Sequence, residues 1–138
     1  MTFRYVTLNA DELQKLRPRI NGPVLSSLGS AAIDDDTGAV LLALGGKPSL
    51  DPSRGKPPGH YNLIWGADVF LAAGNYQTEK EGDGYVRCVS LCLEAPRSAE
   101  DKIDQVQQLL GEALAALYSG MHGAPLALRL TCSNVSYR

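Results

Sequence analysis

The chain has 138 residues, 44% hydrophobic and 20% charged, with a formal net charge of −2. That length suits one domain, and the balance is that of a globular chain rather than a disordered one. The slight acidity predicts no general attraction to nucleic acid or to an anionic membrane.

Met1-Thr2-Phe3-Arg4-Tyr5 lacks the apolar core of an export signal, so none is expected. Phe3–Leu8 reads as a first strand. Asn9 can cap a short helix, about 10–18, that turns Leu13 and Leu16 inward and is limited by Pro18. Asn21-Gly22-Pro23 is a turn. Ala31–Ile33 and Ala39–Leu44 flank Asp34-Asp35-Asp36-Thr37-Gly38, which reads as a hairpin with a polar turn. Ala39–Leu44 is the longest apolar run and is far too short to span a bilayer.

Residues 45–60 are unusual. They hold Pro48, Pro52, Pro57 and Pro58 among four glycines, with Lys47, Arg54 and Lys56 against a single acid, Asp51. Loops of this length without secondary structure are uncommon in compact domains and are usually functional or disordered. Prolines reduce the entropy lost on ordering, so the segment suits an arm or clamp between subunits. The candidate inter-subunit or partner contacts are therefore Lys47, Arg54, Lys56, Pro57, Pro58 and His60.

Tyr61–Ala73 reads as one strand, with Leu63, Trp65, Ala67, Val69 and Leu71 on one face and Gly66 marking a bulge. Glu79–Gly84 is a solvated hairpin tip. In Tyr85–Glu94 both alternating sets are largely apolar, which predicts a central strand covered at least partly on both sides. A long helix follows, about 98–119. Ile103, Val106, Leu109, Leu110, Ala113, Leu114 and Leu117 recur at spacings of three and four, so they share one face. Ser98 and Asp101 have capping-box spacing, and Gly120 can close the far end. Leu126, Leu128, Leu130 and Cys132 then alternate with Ala127, Arg129, Thr131 and Ser133, a half-buried strand with its leucines toward the helix. The fold expected is α+β: a mostly antiparallel sheet of about five or six strands, with the long helix and the short N-terminal one, in a single domain over residues 1–138.

The chemistry-bearing residues form no local motif. The aspartates at 34–36 suit a hairpin turn better than a phosphatase nucleophile. Gly45-Gly46-Lys47-Pro48-Ser49 has phosphate-loop letters, but Pro48 removes an amide that a phosphate cradle needs. His60 and His122 lie in separate predicted loops, and neither has metal-ligand spacing. Cys88 and Cys92 share a strand face roughly 13 Å apart, too far to bridge. With Cys132 they make an odd count, which reads as reduced core thiols. No catalytic, cofactor or metal residue is assigned, and no small-molecule substrate is expected.

From Tyr61 onward the order of elements resembles the tail-terminator and tail-completion proteins of tailed bacteriophages. The matching parts are the apolar strand Tyr61–Ala73, the acidic tip Glu79–Gly84, the strand Tyr85–Glu94 and the amphipathic helix Ser98–Tyr118. The resemblance covers a little over half of the chain and rests on element order rather than on diagnostic residues. It implies a non-enzymatic virion component of a tail or neck, forming a homo-oligomeric ring with itself and other structural proteins as partners. The alternative reading is a small cytosolic protein-binding module of immunity or regulatory type. An enzyme using Cys88 or His60 requires a tertiary meeting of those groups.

Overall fold

A computed structural model of the chain describes residues 3–16, 30–44, 59–123 and 128–138. The elements in order are β1 (Arg4–Thr7), α1 (Ala10–Leu16), β2 (Ser30–Ile33), β3 (Val40–Leu44), β4 (Gly59–Trp65), β5 (Asp68–Glu81), β6 (Gly84–Ala95), α2 (Ile103–His122) and β7 (Leu128–Tyr137), with a 3₁₀ turn at Arg97–Lys102 leading into α2. The segment at 45–58, with Lys47, Arg54, Lys56, Pro57 and Pro58, lies outside the described residues, as do the turn expected at 21–23 and Leu126. The side chains expected inward at Leu13 and Leu16 are outside them too.

The class is α+β, as the pattern predicts. Seven strands form one sheet in sequence order among the described residues, more than the five or six expected. β1 to β6 are an antiparallel meander. β7 then pairs with β6 in parallel. A parallel return needs a crossover, and α2 supplies it.

The extra strand comes from Tyr61–Ala73, which is a hairpin and not one bulged strand. Trp65 pairs with Asp68 across a two-residue turn. Gly66 has φ +63°, and among the described residues no non-glycine residue has positive φ. That combination, glycine first and an ordinary residue second, is the type II′ turn that matches the twist of paired strands. The reversal regroups the side chains. Leu63 lies opposite Phe70 and Tyr61 opposite Ala72, all buried on the helix side. Val69 and Leu71 lie on the other side.

The main core lies between the sheet and α2. Val106, Leu109, Leu110, Ala113, Leu114 and Leu117 are fully buried along the predicted helix face. They pack with Leu41, Leu63, Phe70, Val89, Leu91 and Leu93. Burying a leucine of this kind contributes roughly 1.5–3 kcal/mol relative to leaving it in water, so this face dominates the fold energetically. A second buried cluster, Val6, Leu8, Ala31, Ile33, Val40, Leu42 and Ile64, lies on the opposite side of β1–β4. The strands covered on both faces are thus β2, β3 and the middle of β4, which explains the unbroken apolar run of β3. β6 was expected to be central and at least partly covered on both sides; it lies next to the edge instead, and on its second face Val86 is buried while Ser90 and Cys92 are exposed.

Both expected caps of the long helix move. Ser98 makes no capping bond; Pro96 is the N-cap of the 3₁₀ turn, and no side chain caps either helical segment. The end of β7 does part of that work instead: the Arg97 amide donates to the Arg138 carbonyl at 3.1 Å, and the Arg138 amide to Ala95 at 3.0 Å. A tertiary contact has replaced the local cap at one orphan amide. At the far end the left-handed residue is Gly123, φ +80°, whose amide donates to Ser119. The predicted cap at Asn9 is present, with its Oδ1 accepting from the Glu12 amide at 2.9 Å. The polar turn is present as well. The Asp34 carboxylate accepts from the Thr37 hydroxyl at 2.7 Å and from the Asp36 amide at 3.2 Å.

Candidate functional site

Two surfaces carry what chemistry the described residues offer. The first is the sheet face opposite α2 over β5–β7. Directly opposed residues share a face, so the register assembles it: Ala73 beside Cys92, Asn75 beside Ser90, then Cys88 beside Arg129, Ser90 beside Thr131 and Glu94 beside Ser136. One groove of about 360 Å³ is lined by His60, Leu71, Ala73, Cys92, Glu94 and Ser136, among others. Another, of about 470 Å³, lies among Asn75, Glu79, Cys88, Ser90, Arg129 and Thr131.

His60, expected in a loop, is an exposed residue of β4, and His122 belongs to the last turn of α2. The sheet brings His60 and Cys92 into one groove. They flank Ala73 in the ladder, two strand spacings apart, so their α carbons are roughly 10 Å from each other. Sequence spacing gave no signal for this meeting, because it depends on the register of two hairpins.

All three cysteines are free thiols, and none is a core residue. Cys88 and Cys92 face the open side, while Cys132 packs from β7 toward α2. Burial, then the neighbouring Glu79 carboxylate, pushes the Cys88 thiol up. Burial likewise pushes Cys132 up. Both are therefore protonated at neutral pH and are weak nucleophiles. Arg129 is held as a cation by Glu81 at 2.7 Å and, more loosely, by Glu79 at 3.9 Å. Among the described residues no group of three His, Cys, Asp or Glu side chains could hold a metal ion. No helix among them is long and apolar enough to cross a membrane.

The second surface is the β7 edge. β7 is the last strand of the sheet, and none of its ten residues is fully buried. Its partly buried apolar residues, Leu128, Leu130, Cys132, Val135 and Tyr137, complete the margin of the main core. A groove of about 400 Å³ runs between this strand and α2, past Gly111, Glu112, Ala115, Leu128 and Leu130. One Glu112 carboxylate oxygen is buried there without a hydrogen-bond partner. Sequence reasoning predicted the strand and its leucines. It did not show that the strand lies at the rim, because strand order is a property of the assembled sheet.

No family model matches the chain, and no curated protein or solved structure gives a significant match to it.

Proposed function

We propose that this chain is a non-enzymatic structural or assembly protein that works as a homo-oligomer, with other structural proteins as further partners. The observation that carries this reading is the β7 edge. A strand of ten residues with an unpaired outer side is a template for another strand. Natural edges are commonly kept short, and β1 at the other rim has only four residues. β7 is long, and its apolar residues are only half covered. Pairing with another chain covers them and satisfies the free backbone groups together.

The finer form of the proposal is a tail-terminator-like ring at the tail or neck of a phage virion. It rests on the order of the apolar stretch Tyr61–Ala73, which spans β4 and the start of β5, the acidic tip Glu79–Gly84, β6 and α2, the parts that carry the resemblance. The clamp role of Lys47, Arg54, Lys56, Pro57, Pro58 and His60 is part of this proposal. A second reading, a small protein-binding module, is favoured by the open polar face of β5–β7 with its two grooves.

Native mass measured by light scattering across protein concentration, with negative-stain images of the same sample, separates the readings. Assembly predicts a mass above one subunit, and the ring form predicts closed rings. A monomer at every concentration removes self-assembly and leaves the binding module.

A further inference from the structure

We infer that β7 is the contact between two copies of this chain, paired antiparallel about a two-fold axis, with Leu128 opposite the second copy's Tyr137. The inference rests on the assembly reading and specifies its interface.

The argument starts from the irregularity in the β6–β7 ladder. Leu91 faces Cys132, but Cys92 faces Asn134, so Ser133 is an extra residue in β7. Its hydroxyl donates to the Leu91 carbonyl at 3.2 Å, which ties the bulge down. An extra residue inverts the alternation beyond it. Before the bulge the helix-side residues are Leu128, Leu130 and Cys132; after it they are Val135 and Tyr137, opposite Leu93 and Ala95. On the open side the set runs Arg129, Thr131, then Asn134 and Ser136.

This inversion makes the strand complementary to itself. Laid antiparallel on a copy so that all ten residues overlap, Leu128 meets Tyr137 and Leu130 meets Val135, both on the helix side. Arg129 meets Ser136 and Thr131 meets Asn134, both on the open side. Every opposed pair outside the bulge then joins like with like, apolar to apolar and polar to polar, and no like charges meet. In a strand without the bulge the same full overlap would pair helix-side residues with open-side ones, because a one-residue change of register reverses the face. The contact is isologous and closes on itself, as a two-fold interface must. It uses ten residues on each side, whereas a head-to-tail contact of β7 with β1 is limited to the four residues of β1. The same pairing brings the second copy's α2 beside the groove at Gly111 and Ala115. That helix carries Gln107 and Gln108, amide donors for the unpartnered Glu112 oxygen. A ring would then repeat this pair through another surface.

The charge variants use exposed positions, so folding is not at stake in that arm. Thr131 and Asn134 are both exposed and oppose each other twice across the axis. In the full-length protein, Thr131→Lys with Asn134→Lys places like charges opposite one another, and the dimer weakens by about tenfold. Thr131→Lys with Asn134→Glu places opposite charges there and keeps or tightens the wild-type affinity. Sedimentation equilibrium reads the association, and circular dichroism checks the fold. A second arm replaces Cys88, Cys92 and Cys132 with Ser and introduces Thr131→Cys with Asn134→Cys. Mild oxidation then yields a covalent dimer. If the wild type associates but both lysine variants associate equally well, this interface is wrong while the assembly reading stands. If the wild type is a monomer at every concentration, both fail.

Discussion

Gly120 of α2 packs directly against the ring of Tyr5 in β1. A Cβ at that position would overlap the Tyr5 Cβ and Cγ and lie 2.6 Å from Cδ2. The contact ties the C-terminal part of the long helix to the first strand, and it explains a glycine that local reasoning assigns to a cap. Gly120→Ala gains about 1 kcal/mol in helix propensity but overpacks a ring near its fixed end, at a cost of roughly 1–3 kcal/mol. Net destabilisation of up to about 2 kcal/mol is expected in urea unfolding.

Gly74 is a second close approach, this time of backbone to backbone. A Cβ there would overlap the Ser90 carbonyl and lie 2.8 Å from the Leu91 Cα. Neither can move without opening the β5–β6 ladder. Gly74→Ala is therefore expected to destabilise by about 1–3 kcal/mol, and hydrogen exchange should show the loss concentrated along β5 and β6.

The Asp34 turn predicts a pH dependence. The Thr37 hydroxyl, followed by backbone amides, holds the Asp34 carboxyl below the usual carboxylate range. A depressed folded value contributes stability that is full above the unfolded value, about 4, and is lost as pH falls through the folded value. Melting temperature followed from pH 7 to pH 2.5 should fall in that acid window. Asp34→Asn should be less stable at neutral pH and should show a shallower acid decline.

The thiols should react in a set order. Cys92 is exposed and is alkylated first, whereas Cys88 and Cys132, both held protonated by their surroundings, react only at more alkaline pH. Mass spectrometry after brief iodoacetamide treatment at pH 7 should find label mainly on Cys92. Cys92→Ser should remove that label without changing the melting temperature by more than about a degree or two, since its side chain is exposed. Rapid labelling of Cys88 at neutral pH would contradict the environment described for it.

Much of the fold is legible in the chain. The helix face from Val106 to Leu117, the Asn9 cap, the turn at 34–38 and the tip expected over Glu79–Gly84, which the structure narrows to Gly82-Asp83, are all local patterns of period, cap or turn chemistry. The errors share a cause. At Gly66 a one-residue bulge and a two-residue reversal have the same apolar letters around them, and only pairing chose the reversal. At Ser98 the capping spacing is present, but the Arg138 carbonyl reaches an amide at the helix start instead. For the candidate surfaces the legibility is lower. His60 and Cys92 meet through the register of two hairpins, and the open edge of β7 is visible only once strands are ordered.

By itself the sequence determined the class, the amphipathic helix, and which residues of most strands belong together, because those follow from repeat periods and side-chain solvation within a few turns of chain. Tertiary structure alone decided that β2, β3 and the middle of β4, rather than β6, are buried on both faces, that Gly120 yields to Tyr5, and that β7 returns parallel to the rim with an extra residue at Ser133. Each of these depends on which strand lies beside which. That choice is set by the summed packing of residues far apart in sequence, and no short stretch of the chain encodes it.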